Sequence, residues 1–134
     1  MPEKYTFDSE AILAFYLGEK GGEVTQSILE QIKGGEAEGN ISIINLTEIY
    51  YILARVDPNL PKSVEKKLRL MGLKVVPVED DDLWRHAAII KAKHRLSLAD
   101  AFAAATAEKQ KTALVIGTDK EFDELSIKLL KIRT

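Results

Sequence analysis

The sequence predicts an α/β protein with a mainly parallel sheet. Three observations support this fold class: short runs of aliphatic and β-branched residues, helical segments between these runs, and glycine or proline at the junctions. Strands that alternate with helices favour a parallel sheet covered by helices on both faces. The predicted strands are 5–7, 41–44, 73–78, 113–116 and 127–132.

Helical segments fill the intervals between the strands. They are predicted at 9–17, 23–33, 46–56, 62–71, 82–95 and 98–110, with a short helical turn near 121–124. The breaks between paired helices are marked by glycine or proline, at Gly21-Gly22, Asp57-Pro58 and Pro61. Gly34-Gly35 and Gly39-Asn40 predict a loop before the second strand.

Length and composition indicate one globular domain that spans residues 1–134. The chain has 134 residues, of which 46% are hydrophobic, and a core of that size folds without disulfides or a structural metal. No segment approaches the roughly 20 consecutive apolar residues of a membrane span, and residues 1–5 lack the apolar part of a signal peptide. We therefore expect a soluble cytoplasmic protein.

The residue types present exclude several kinds of chemistry. The chain has no cysteine, which excludes disulfides, thiolate metal sites and a thiol nucleophile, and its two histidines are too few for a histidine cage. Nineteen basic residues against 21 acidic ones give a formal net charge of −2, so there is no global basic field. Any contact with nucleic acid must be local or bridged by a metal.

Four acidic residues lie at or near predicted helix starts. Asp8 follows the first strand, Glu48 lies shortly after the second, Asp119 follows the fourth, and Asp100 is in the first turn of the 98–110 helix. Because the carboxyl ends of parallel strands meet at one edge of a sheet, the three acids that follow strands are expected there together.

Helix capping is the alternative explanation for each acid taken singly. Asp8 precedes a helix, and capping-box spacing or nearly so is present at Asn45…Glu48, Ser97…Asp100 and Thr118…Glu121. Gathered at one edge, however, two carboxylates about 5 Å apart repel by roughly 3 kcal/mol. A hard divalent cation such as Mg²⁺ or Mn²⁺, which prefers oxygen ligands, would relieve that repulsion.

Four stretches of the chain resemble PIN-domain ribonucleases, most of all the VapC-type toxins of toxin–antitoxin pairs. They are Tyr-Thr-Phe-Asp-Ser at 5–9, Asn-Leu-Thr-Glu at 45–48, Leu-Ser-Leu-Ala-Asp-Ala at 96–101 and Gly-Thr-Asp-Lys-Glu-Phe at 117–122. The third stretch is the most specific, and together they span nearly the whole chain.

The resemblance implies a three-layer α/β/α fold with five parallel strands, and metal-dependent cleavage of RNA. It implies a Mg²⁺ or Mn²⁺ site formed by Asp8, Glu48, Asp100 and Asp119, usually in a homodimer that a cognate antitoxin protein inhibits. Asp8 and Asp100 are expected to be the principal ligands. Asp119 would bind directly or through water, and Glu48 would be a ligand or the general base.

Two accessory residues accompany these acids. Ser9 follows Asp8 directly, and Thr118 precedes Asp119. Many relatives place a hydroxyl residue two positions before the last acid, where this chain has Gly117. We therefore expect the surroundings of a bound metal to differ at this point.

The end of the 82–95 helix is basic and leads directly towards Asp100. Lys91, Lys93 and Arg95 are candidate contacts for the RNA phosphate backbone, although a solvated helix end explains them equally well.

Several other residues are interpreted as structural. Asp80-Asp81-Asp82 complements a helix dipole, and Asp123 is expected to be an exposed helical residue. His86 and His94 have the wrong spacing for a shared metal, and Trp84 and Phe102 have core spacing. Tyr51 is expected to be exposed, as a modest sign of an interface.

Other functions remain open at this stage. A PIN-type nuclease for RNA processing and a non-catalytic PIN-fold interaction module are both compatible with the resemblance. A receiver domain requires paired acids after the first strand, and a haloacid-dehalogenase-type phosphatase requires Asp-x-Asp. The chain has Asp8-Ser9-Glu10, which disfavours both.

Overall fold

A computed structural model describes residues 2–118 and 120–133. Within these residues the strands are β1 (Glu3–Phe7), β2 (Ala37–Ser42), β3 (Lys74–Val76), β4 (Ala113–Ile116) and β5 (Leu129–Lys131). The helices are α1 (Ser9–Tyr16), α2 (Gly22–Lys33), α3 (Ile43–Val56), α4 (Leu60–Leu70), α5 (Asp81–Lys93) and α6 (Leu98–Gln110), followed by a 3₁₀ helix over Lys120–Glu124. None of the helices in this part of the chain is long and apolar enough to cross a membrane.

The strands form one sheet in the order β3-β2-β1-β4-β5, and every pair of neighbours is parallel. The predicted α/β class with five parallel strands is confirmed. Because β1 is central and pairs with both β2 and β4, the residues that follow these three strands meet at one edge, which we call the carboxyl edge.

Helices cover both faces of the sheet, as the alternating side chains of β4 show. Val115 packs into a core with α1 to α4, whereas Leu114 and Ile116 pack into a second core with α5 and α6. Burying an aliphatic side chain of this kind stabilises the fold by about 1.5–3 kcal/mol. Ala103 and Ala104 of α6 are fully buried in the second core, so these small side chains allow α6 to lie close to the sheet.

The second strand differs from the prediction at its start. Gly39 and Asn40 lie within β2, so only the Gly34-Gly35 part of the predicted loop is correct. A Cβ on Gly39 would lie 2.3 Å from Cδ1 of Ile32 in α2. The glycine therefore allows close packing of a helix on the strand and does not mark a turn.

The third helix begins earlier than predicted. Ile43 and Ile44 are β-branched residues of the predicted 41–44 strand, but they form the first turn of α3. Ser42 sets this start, because its side chain accepts a hydrogen bond of 3.1 Å from the Ile44 N–H. Asn45 is consequently inside the helix and is not its N-cap.

Trp84 is wrongly predicted as a core residue. Helix α5 buries Leu83 and Ala87, whereas Trp84 is 44% exposed. Its indole N–H donates to Asp81, and the Arg85 guanidinium lies 5.2 Å from the ring centroid. Phe102 is buried as predicted.

Candidate metal centre at the carboxyl edge

Asp8 is the residue on which the candidate site is centred. It directly follows β1, and its N–H donates to the Val115 carbonyl of β4 at 2.9 Å. It occupies the N-cap position of α1, yet its side chain makes no capping hydrogen bond and the residue is only 2% exposed. Helix capping therefore does not account for a carboxylate at this position.

The electrostatic surroundings of Asp8 are unfavourable for a charge. Burial, followed by the neighbouring Asp100 carboxylate and then the charge of Glu48, raises the pKa of Asp8 well above its ordinary value, while the Ser9 N–H lowers it. A buried carboxylate with acidic neighbours is destabilised unless it is protonated or a cation compensates its charge.

Asp100 reaches Asp8 from the first turn of α6. Ser97 is the N-cap of this helix, and its hydroxyl accepts a hydrogen bond of 3.1 Å from the Asp100 N–H. Because a serine caps the helix, the half-buried Asp100 carboxylate is available to the cleft beside Asp8.

Glu48 is the third of the predicted acids in this cleft. It lies in the second turn of α3, is half-buried, and lines a cleft of about 350 Å³ together with Asp8 and Asp100. Leu13, Leu17 and Ile52 form apolar walls of this cleft. Three of the four predicted acids are thus brought to one place, and Asp119 lies outside the described residues.

Asn45 is the residue of this site that sequence reasoning assigned only to capping. Its side chain is fully buried, and Nδ2 lies 3.2 Å from Asp8 Oδ1, 3.0 Å from Ser9 Oγ and 3.1 Å from the Ala99 carbonyl oxygen. Its Oδ1 is buried without a hydrogen-bond partner in the described chain. The sequence signals were its position three residues before Glu48 and its place in the 45–48 stretch that resembles PIN domains.

Ser9 and Thr118, the predicted accessory residues, have different surroundings. Ser9 is buried, and its hydroxyl accepts from Asn45 Nδ2 and donates to the Asn45 carbonyl oxygen at 3.3 Å. It therefore ties the start of α1 to α3 next to Asp8. Thr118 is half-buried in the bend that follows β4.

The basic residues predicted to contact RNA lie at the end of α5 and in the segment that leads to α6. Lys91 and Lys93 are in the last turn of α5, and Arg95 follows it. All three are exposed, and none forms an ion pair with the residues that the structure describes. The end of α5 is fixed by His94, whose Nδ1 lies 3.0 Å from Glu124 in the 3₁₀ helix after β4.

The acids interpreted as structural have structural partners. Asp80 is the N-cap of α5, accepts from the Leu83 N–H at 2.9 Å and pairs with Lys109. Lys109 lies nine residues after Asp100 on α6, about 14 Å along the helix axis. Asp123 pairs with Lys131 at 2.8 Å.

Neither histidine is placed for metal binding with the acids of the cleft. His86 contacts Glu108, and His94 contacts Glu124.

The donor set at the carboxyl edge fits a hard divalent cation. Asp8, Glu48 and Asp100 line one cleft and supply only oxygen donors. Among residues 2–118 and 120–133, no group of three or more His, Cys, Asp or Glu side chains is already arranged as a metal cage. The residues around the Asp8–Asp100 pair therefore fit a divalent cation by the chemistry of their oxygen donors.

Comparison with known proteins identifies the family. The PIN domain family matches residues 5–128, and the chain belongs to this family. Among curated proteins, no sequence matches the chain.

Solved structures with the same fold include proteins of toxin–antitoxin systems. A toxin–antitoxin complex from Klebsiella pneumoniae has a TM-score of 0.73 at 16% identity, covering 96% of this chain and 97% of that one. DNA-bound VapBC from Salmonella typhimurium has a TM-score of 0.72 at 17% identity, covering 97% and 98%. VapC20 from Mycobacterium tuberculosis, described as a sarcin-ricin loop cleaving toxin, has a TM-score of 0.70 at 17% identity, covering 95% and 98%.

Proposed function

We propose that this protein is a Mg²⁺- or Mn²⁺-dependent endoribonuclease and the toxin of a toxin–antitoxin pair. The observation that carries the proposal is the buried Asp8 carboxylate in contact with Asp100, with Glu48 beside them in an open cleft. Membership of the PIN family and the fold shared with VapC20 support the same conclusion.

The residues of the cleft have distinct roles in this proposal. Asp8 and Asp100 would hold the cation, and Asp119, which follows β4 in the sequence, would be a further ligand. Glu48, which is half-buried in the cleft, would bind the cation or accept a proton from water. A divalent cation supplies Lewis-acid activation of water and neutralises charge on the phosphate. Asn45 and Ser9 keep the Asp8 carboxylate in place.

RNA is the proposed substrate because exposed basic residues directly precede, in the sequence, the helix that carries Asp100. Lys91, Lys93 and Arg95 are exposed at the end of α5, near the start of α6 that carries Asp100. Basic side chains at this position would hold the phosphate backbone of an RNA whose scissile phosphate lies at the acidic cleft.

We propose that a second surface binds protein partners. These partners are a second copy of the chain and a cognate antitoxin. Tyr50 and Tyr51 are both exposed on α3 and line an apolar groove with Ile43 and Leu46. Exposed aromatic residues beside an apolar groove are typical of interfaces. The structures with the same fold include a toxin–antitoxin complex from Klebsiella pneumoniae and VapBC from Salmonella typhimurium.

The test is cleavage of structured and unstructured RNAs by the purified chain with Mn²⁺, with Mg²⁺ and with EDTA. We expect cleavage only with a divalent cation, and loss of cleavage in Asp8→Asn and Asp100→Asn. Equal cleavage by all variants would mean that the activity comes from a contaminant. Binding of an RNA or antitoxin without any cleavage would instead indicate a non-catalytic PIN-fold module. Growth arrest on expression distinguishes a toxin from an RNA-processing nuclease.

A further inference from the structure

Glu10 is a further acid in the cleft, and its carboxylate occupies space that is free because residue 117 is a glycine. It lies in the first turn of α1 and lines the same cleft as Asp8 and Asp100. A Cβ on Gly117 would lie 2.4 Å from both Cδ and Oε1 of Glu10, and 2.7 Å from its Oε2. The carboxylate therefore fills the space above Gly117, which directly follows β4.

Position 117 requires glycine because a side chain there would overlap the Glu10 carboxylate. Gly117 does not have a positive φ, so its backbone conformation is accessible to other residues. A side chain at position 117 would displace the Glu10 carboxylate from the cleft. Gly117, which stands where many relatives have a hydroxyl residue, thus leaves room for the Glu10 side chain of α1.

Arg133 fixes the Glu10 carboxylate in this position. Its Nη2 contacts Glu10 Oε1, and its Nη1 donates to the Lys20 carbonyl oxygen at 2.8 Å. The preceding residue, Ile132, is itself held by a hydrogen bond of 2.9 Å from its N–H to the Ile116 carbonyl. Pairing with a guanidinium offsets the like-charge repulsion that a further acid would add near Asp8.

We propose that Glu10 is a positioning acid of the metal centre, held over Gly117 by Arg133, and that it strengthens binding of the divalent cation. The inference rests on the proposed function. Arg133 contacts Oε1 of Glu10, and no protein partner of Oε2 is found in the described part of the chain. The side chain is 42% exposed, so the cleft and its water can reach the second oxygen. In this account Glu10 supplies the polar oxygen that a hydroxyl residue at position 117 supplies in many relatives.

Titration of the metal-free full chain with Mn²⁺, followed by calorimetry, tests this role. We expect Glu10→Gln to weaken Mn²⁺ binding by about 10-fold, the smaller effect seen for residues that support metal ligands. Glu19→Gln is the matched control, because Glu19 also lines the cleft but does not lie over Gly117. We expect its affinity for Mn²⁺ to equal that of the wild type.

Gly117→Ala separates the position of Glu10 from its charge. The new methyl group displaces the flexible end of the Glu10 side chain while the acid remains in the protein. We expect the same loss of about 10-fold in Mn²⁺ affinity. Adding Gly117→Ala to Glu10→Gln should cause no further loss, since both changes act on one interaction.

The outcomes separate this inference from the proposed function. One outcome would overturn the inference and leave the proposed function standing. In that outcome the wild type binds Mn²⁺ and Asp100→Asn does not, while Glu10→Gln and Gly117→Ala both bind Mn²⁺ like the wild type. The Glu10–Arg133 pair then only holds the segment that follows β5 against α1, and thermal unfolding would show its loss. If the losses of Mn²⁺ affinity in Glu10→Gln and Gly117→Ala add fully when the two substitutions are combined, the two residues do not act on one interaction, which would also contradict the inference. If the wild type binds no Mn²⁺, both proposals fail.

Discussion

The first turns of α1 and α5 begin with the same type of residue and have opposite surroundings. Asp8 and Asp80 both occupy N-cap positions. Asp80 accepts a hydrogen bond from the Leu83 N–H and pairs with Lys109, as an acid that stabilises a helix should. Asp8 makes no capping hydrogen bond and is buried beside Asp100.

The pKa values of the two groups move in opposite directions for this reason. The hydrogen bond from Lys109, with that from the Leu83 N–H, lowers the pKa of Asp80. Burial and the Asp100 carboxylate raise the pKa of Asp8. The interactions of Asp80 stabilise the folded chain, whereas the charge of Asp8 destabilises it unless a cation compensates that charge. The two acids also follow different strands of the sheet. Asp8 follows the central strand β1, whereas Asp80 comes after the edge strand β3.

The largest predicted difference between the two turns is in catalysis. Asp8→Asn should reduce RNA cleavage with Mn²⁺ by more than about 100-fold, because a ligand contributes at least as much as its supporting residues. Asp81→Asn, in the first turn of α5, should leave the rate within about two-fold, since surface substitutions of this kind change little. Initial rates on one RNA at saturating Mn²⁺ measure both. Comparable losses in the two variants would remove the distinction between the turns.

Asn45 tests how the site is supported. Asn45→Ala removes three buried contacts of Nδ2, including the one to Asp8, and leaves the Ala99 carbonyl without this partner. We expect a loss of about 1–3 kcal/mol in the free energy of unfolding, measured in urea. Mn²⁺ affinity should fall by about 10- to 100-fold.

Asn59→Ala is the matched control for Asn45→Ala. Asn59 is the exposed N-cap of α4, and its side chain makes no capping hydrogen bond. Its removal should change neither the stability by more than about 0.5 kcal/mol nor the Mn²⁺ affinity. An Asn45→Ala variant that binds Mn²⁺ like the wild type would show that the amide supports only the fold.

The pH dependence of stability should reveal Asp8 directly. Because its pKa is raised in the folded chain, folding is most favourable when the group is protonated, at and below its unfolded value of 3.8. Stability is then lost as pH rises from 3.8 through the raised pKa, with a slope of about 1.4 kcal/mol per pH unit between the two values. Above the raised pKa this loss is complete and constant.

The Asp8→Asn variant isolates this contribution. In EDTA, the stability of the wild type relative to Asp8→Asn should decline across that interval of pH, as measured by urea unfolding at several pH values. Excess Mn²⁺ should restore the wild type at neutral pH and leave the variant nearly unchanged. A wild-type-to-variant difference that is independent of pH would contradict the raised pKa.

The smallest predicted effect concerns the two ends of α5. Neutralising Lys91 and Lys93 together should weaken RNA binding and reduce the slope of log affinity against log salt by roughly 0.7 for each phosphate that is no longer neutralised. Arg85→Gln is the control at the opposite end of the helix, where Arg85 lies 4.0 Å from Asp81. Fluorescence anisotropy with a non-cleaved RNA, without divalent metal, measures the slopes. Equal slopes for all variants would show that the basic end does not contact RNA.

The sequence predicts the fold well where local pattern and packing agree. The β4 segment 113–116 and the α6 segment 98–110 have the predicted bounds, because an apolar run and a serine cap mark them clearly. The prediction fails where packing overrides local preference. Gly39 is a strand residue that a helix packs against, and Ile43 begins a helix because Ser42 caps it.

The candidate site is only partly predictable for a related reason. Asp8 and Glu48 could be placed by chain order, since both follow strands and parallel strands end at one edge of the sheet. Asp100, in the first turn of α6, is assigned through the resemblance to PIN domains. The roles of Asn45 and Glu10 depend on distances between α1, α3 and the turn after β4, which no local pattern contains. Trp84 shows the same limit, because helical spacing does not reveal which side of α5 faces the sheet.

Anomalous diffraction from crystals of the full chain grown with Mn²⁺ would test the central claim most directly. We predict one strong peak or a close pair within coordination distance of Asp8 and Asp100, with Glu48 on the same cleft, and no peak at Asp80–Asp82. Mn²⁺ bound only at the start of α5, or no peak at the carboxyl edge under conditions in which the protein cleaves RNA, would contradict the account.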